Sequence, residues 1–174
     1  MSAAQPDFPA ISRYITTHDH NGKAVFSTQV PESLPQRIVD GCNFGLAYTS
    51  SEFPAQLSAD VDIKNYEADL INPPGFVIST GTVCQFVDLP PASGSPMHRT
   101  VSLDYGVVLE GEVELSLDSG ETRIMKRGDI AVQRATNHAW KNVTAGGGWA
   151  RMLFVLTPSQ PVQLAGVGVP GDTV

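Results

Sequence analysis

In the second half of the chain, apolar and polar side chains alternate in short runs, the period of a strand with one buried face. Such β-prone runs fall at 75–82, 83–89, 98–103, 105–109, 112–117, 122–126, 130–133, 138–142 and 149–156. Between them sit Pro90-Pro91 through Gly94, Glu110-Gly111, Asp118-Ser119-Gly120, Arg127-Gly128-Asp129 and Gly146-Gly147-Gly148. Short strands at close spacing, with a turn signal at each join, predict an all-β sandwich or barrel. Upstream the pattern is weaker. Residues 13–17 and 23–28 are β-prone and flank Asn21-Gly22, which predicts a hairpin. Residues 44–49 read as a strand, whereas 52–66 are polar with no sustained helical stripe and read as loop. The segment after Pro158 is rich in Gly, Pro and Val. The organisation expected is an N-terminal extension over 1–74 packed on a β-barrel over 75–158, followed by an arm or flexible tail over 159–174.

Composition agrees with this pattern. The 174 residues suit one domain, 41% of them are hydrophobic, and the 16 Gly and 13 Pro favour turn-rich β structure over a helical bundle. Eleven basic against eighteen acidic residues leave a net charge of −7, which argues against nucleic acid and anionic membranes as partners. No apolar run approaches the length of a membrane span, and the amino terminus lacks a basic start with an apolar stretch. The expected location is therefore the cytoplasm. Cys42 and Cys84 are too few for a disulfide scaffold and read as reduced thiols.

Four histidines are present: His18, His20, His98 and His138. His18-Asp19-His20 lies beside the Asn21-Gly22 turn with no third ligand near it in sequence, and reads as exposed. His98 and His138 each open a β-prone run. Strand parity puts His98, Thr100, Asp104, Gly106 and Val108 on one face, with Tyr105 opposite, and groups His138, Trp140 and Asn142. Arg99 should face away from His98. Two imidazoles and one carboxylate arriving from different strands form a set suited to Zn, Fe, Mn or Ni, with positions left for substrate. Thr100, Gly106, Trp140, Phe86, Val108 and Arg134 are candidate substrate-binding residues; Met97, Met152 and Phe154 would add to an apolar wall.

The stretch from His98 to Gly111 resembles the first motif of the cupin superfamily, G-x5-H-x-H-x3–4-E-x6-G. Gly128, His138 and Asn142 resemble the second, G-x5-P-x-G-x2-H-x3-N. Thr100 replaces the second histidine, Asp104 the glutamate, and Gln133 and Ala135 the Pro and Gly of the second motif. The overall string is similar to small stand-alone cupins of fungi and bacteria, some encoded in secondary-metabolite clusters. The resemblance implies a single cupin β-barrel, or jelly roll, with His98, Asp104 and His138 as catalytic and metal-binding residues. It implies a cytoplasmic homodimer acting on a small molecule. The activity expected is a metal-dependent lyase, a decarboxylase or dehydratase working through an enolate. The alternatives are an Fe(II)-dependent dioxygenase, or a protein with no metal that serves as an isomerase, a cyclase or a binding module.

Overall fold

The computed structural model of the protein describes residue 6 and residues 8–163. The hairpin is present: β1 (Thr16–His18) pairs antiparallel with β2 (Ala24–Phe26). Asp19 builds its turn, accepting the N–H groups of Asn21 and Lys23 on Oδ1 at 2.8 and 2.9 Å. A second hairpin follows, β3 (Arg37–Val39) and β4 (Cys42–Ser50), joined by Asp40 and Gly41 at φ +49° and +82°. Two successive positive φ values match the right-handed twist of the flanking strands.

The stretch expected to be loop contains a helix instead. A 3-10 turn at Ser58–Asp60 leads into α1 (Val61–Ile71), which buries only Ile63 and Tyr66. Two buried positions make too thin a stripe to be visible as periodicity. The helix is held from outside itself: Tyr48 and Thr49 of β4 donate to Asp62 and Asp69, each at 2.6 Å, and the Tyr66 hydroxyl donates to the Leu46 carbonyl at 2.6 Å. Tertiary hydrogen bonds thus stabilise a segment with little helical signal of its own.

The remaining strands are β5 (Thr82–Leu89), β6 (Ser102–Glu110), β7 (Glu112–Leu117), β8 (Thr122–Lys126), β9 (Ile130–Arg134), β10 (His138–Asn142) and β11 (Ala150–Pro158). The run expected at 75–82 is not a strand, since β5 begins at its last residue. The two runs at 98–103 and 105–109 are replaced by one strand, β6, preceded by an irregular segment. A six-stranded sheet has the order β3-β4-β5-β11-β6-β9, and a three-stranded sheet the order β10-β7-β8. Strands β3 and β4, from the first 74 residues, thus continue the main sheet. The two sheets share one core, built on Val87, Leu89, Val108, Val113, Met125, Trp140 and Met152. This is the double-sheet form of a jelly roll, with separate ladders instead of one closed barrel. Part of the expected C-terminal arm, residues 164–174, lies outside the described residues. No helix among the described residues is long and apolar enough to cross a membrane.

Candidate active site

The irregular segment before β6 brings the two histidines together. His98 and His138 exchange both backbone hydrogen bonds, N–H to C=O at 2.9 Å each way. The same segment donates from Ser95 N–H to the Trp140 carbonyl at 2.8 Å and accepts the Asn142 N–H on the Ser93 carbonyl at 2.8 Å. It therefore lies along β10 as an added edge. Gly94 permits this approach, because a Cβ there would stand 2.0 Å from the Trp140 carbonyl oxygen. Residues directly opposite in an antiparallel pair carry their side chains to the same face. The imidazole centroids of His98 and His138 are accordingly 4.4 Å apart.

Both rings have a defined tautomer. His98 Nδ1 is 2.9 Å from the Pro96 carbonyl, and His138 Nδ1 is 3.0 Å from the Thr136 carbonyl. A carbonyl can only accept, so each Nδ1 carries a proton and Nε2 is the nitrogen that bears the lone pair whenever the ring is neutral. His138 is 2% exposed. Burial pushes its pKa down to about 4, with the Thr136 carbonyl opposing that shift and His98 adding to it.

Asp104, 5% exposed, extends from β6 on the parity expected for it. Its Oδ2 accepts from the Thr100 hydroxyl at 3.2 Å, and Thr100 in turn accepts from Ser102 at 2.7 Å. Oδ1 is buried without a partner. Burial raises the Asp104 pKa, against the lowering influence of Ser102, Thr100 and His98. Gln133 stands opposite Asp104 across the β6–β9 ladder. Its Oε1 accepts from the Thr136 N–H and hydroxyl, while its Nε2 is buried and unpartnered.

His98, Thr100, Asp104, His138 and Trp140 line one cavity of about 260 Å³. Cys42, Phe44, Phe76, Gln85, Val87, Leu89, Phe154 and Leu156 complete most of its wall, which is predominantly apolar. Phe44, Phe76 and Gln85 were invisible to motif spacing because they enter from β4, from the segment before β5 and from β5. Four of the residues expected to bind substrate are placed otherwise. Phe86 alternates with Gln85 and Val87 and so occupies the opposite face of β5. Arg134 is exposed on β9, on the face opposite its neighbour Gln133. Val108 is wholly buried in the core cluster, beyond the cavity wall. Gly106 lies under the wall: a Cβ there would meet Phe154 at 3.0 Å and Trp140 at 3.4 Å. Met152 is core, Met97 is exposed, and Arg99 borders a separate, smaller cavity with Val101 and Ala135. His18 and His20 are exposed on the hairpin.

A three-ligand metal centre was expected from His98, Asp104 and His138. Among the described residues, no three His, Cys, Asp or Glu side chains stand close enough to hold one ion. The imidazoles are paired, while the Asp104 carboxylate has Oδ2 on the Thr100 hydroxyl and Oδ1 unpartnered. The three side chains share the cavity wall but, as arranged, form no such cluster.

Residues 85–156 match the family model described as Cupin domain. The chain is 45% identical to "Phomopsin biosynthesis cluster protein D" of Diaporthe leptostromiformis, over 97% of this chain and 89% of that protein. It is 44% identical to "Cupin-domain-containing oxidoreductase virC" of Hypocrea virens, over 86% of this chain and 77% of that one. The cupin domain of Schizosaccharomyces pombe Cnp3 shares its fold, with a TM-score of 0.52, 10% identity and coverage of 86% and 88% of the two chains. A family model matched across the segments that carry the histidine pair, and relatives 44–45% identical over 77–89% of their length, place the chain in the cupin family.

Proposed function

We propose that the protein is a cupin enzyme that moves protons on an apolar, oxygenated small molecule, an intermediate of secondary metabolism. One observation carries this reading. Two imidazoles stand with centroids 4.4 Å apart in the wall of a largely apolar cavity, each with Nδ1 tied to a backbone carbonyl and Nε2 free of that contact. The names of the relatives, which place them in biosynthesis clusters or describe them as cupin-domain oxidoreductases, support an enzyme of that setting.

In this reading an Nε2 of the histidine pair accepts a proton from a carbon next to a carbonyl, generating an enolate. Burial lowers the His138 pKa, which makes that imidazole a weak base but makes its imidazolium a strong acid that gives up the proton. Returned to another carbon, it completes an isomerisation. Delivered through His98 to a departing hydroxyl, it completes a dehydration with loss of water. Deuterium incorporation from D2O into a panel of β-hydroxy ketones and aldehydes tests this. Exchange by the wild type that is lost in both His98→Ala and His138→Ala supports the reading, and its survival in both variants contradicts it.

The relatives named oxidoreductases favour a second reading, in which the protein carries out redox chemistry. Dioxygen uptake during turnover, together with elemental analysis of the purified protein, separates the two.

A further inference from the structure

One cavity residue is used by neither the histidine pair nor the packing. Gln85 is 7% exposed and lines the cavity, yet its carboxamide hydrogen-bonds no described residue. Its amide N and O are not sealed off by protein, so they face the cavity, where an amide serves as a recognition element for a ligand. Its location gives that ligand a shape. His98, His138, Trp140 and Phe154 form a row of rings, with successive centroids 4.4, 5.5 and 5.4 Å apart. Gln85 is the cross-strand partner of Phe154, the last ring of that succession from His98. The missing side chain at Gly106 leaves Phe154 and Trp140 room to sit edge to face.

We infer that Gln85 is the second polar anchor of the cavity, selecting a flat conjugated ligand with an oxygen function at each end. A hydroxyl at one end donates to a histidine Nε2, and a hydroxyl or carbonyl at the other meets the Gln85 carboxamide. Between them Trp140 and Phe154, whose planes are 69° apart, meet the conjugated body one by its face and one by its edge. This assignment rests on the histidine pair acting as acceptor, as in the proton-transfer reading, and names the class of molecule that reading would take.

Two matched probe pairs test it: trans-4-hydroxycinnamyl alcohol against trans-cinnamyl alcohol, and 4-hydroxybenzyl alcohol against benzyl alcohol. Binding is followed by quenching of indole fluorescence, since Trp140 forms part of the wall. The wild type is expected to prefer the hydroxylated member of at least one pair by roughly tenfold, and Gln85→Met to lose that preference. Gln85→Met should also melt no lower than the wild type, because an unpartnered amide is replaced by an apolar group of similar volume. A preference retained in Gln85→Met, or a wild type that binds no probe or shows no preference, overturns the assignment. So does a variant that unfolds at markedly lower temperature, which would make Gln85 a structural residue. The outcome is independent of turnover. A Gln85-dependent preference without deuterium exchange defeats the proton-transfer reading alone, and exchange without that preference defeats this one alone.

Discussion

His138 is uncharged in the fold under conditions where it would be charged in the unfolded chain. Unfolded, it takes up a proton near its ordinary value of 6.5; folded, only near about 4. Between those values the unfolded state binds the extra proton, so stability falls as pH drops through this window and is flat above it. The loss should reach about 3 kcal/mol at the lower end. Thermal midpoints from pH 4 to 8 check this: His138→Gln should flatten the slope, and an unchanged slope would assign it to other groups. Asp104 behaves in the opposite sense. Its raised pKa means that the folded state holds its proton to higher pH, so the ionised carboxylate weakens the fold at neutral pH. Asp104→Asn keeps an acceptor for the Thr100 hydroxyl and should raise the melting temperature at pH 7, even where it lowers activity. A lower melting temperature would show the carboxylate to be a structural requirement.

Among the elements, the decisive one is the irregular segment 93–98 lying along β10. Gly94→Ala places a methyl group against the Trp140 carbonyl and should push the segment away, separating the histidines. The expected cost is about 1–3 kcal/mol by chemical denaturation, with loss of any activity that depends on the pair. Retention of both would mean that the edge adapts. Asn142 secures the other end of β10. Its Nδ2 donates toward the carbonyls of Leu89, Pro90 and Gly148, each at 2.9 Å, and its Oδ1 accepts the Thr144 N–H at 2.9 Å. The motif asparagine is therefore a backbone latch and takes no place in the cavity wall. Helix α1 depends on its contacts with β4 in the same way. Tyr48→Phe removes the bond to Asp62 and should cost about 1–2 kcal/mol, with hydrogen exchange in 61–71 rising first. Uniform loss of protection across the sheets would contradict a locally held helix.

For the molecule as a whole, a buried ion pair ties the outer face of the main sheet to the N-terminal segment. Arg151 Nε and Nη2 reach Asp88 at 2.6 and 2.8 Å, and Asp88 also accepts from Gln36 at 3.1 Å. Arg151 Nη1 donates to the Pro9 carbonyl at 2.9 Å, and its guanidinium lies 4.9 Å from the centroid of the Phe8 ring. Asp88 is fully buried, so Arg151→Met leaves an uncompensated charge and should cost about 3–5 kcal/mol. Adding Asp88→Leu should restore most of that loss in denaturant midpoints. A double variant no more stable than the single one would place the value of Arg151 in its Pro9 and Phe8 contacts.

Period-two alternation and turn chemistry were enough to read the strands from β7 to β11 and the Asn21-Gly22 hairpin, because both signals are local in sequence. His98, Thr100 and Asp104 do line one cavity, but His98 reaches it from the segment along β10 and Asp104 from β6, so strand parity alone does not account for it. Helix α1, the extension of the main sheet by β3 and β4, and the entry of Gln85, Phe44 and Phe76 into the cavity were not legible. They depend on partners far along the chain, among them Tyr48 with Asp62 and Phe154 with Gln85. Parity also could not decide whether Asp104 would join the imidazoles. That was decided by the sheets: the imidazoles sit along β10 and Asp104 on β6, in the other sheet. Local alternation determines which face a side chain takes, whereas only the packed sheets determine what it meets there.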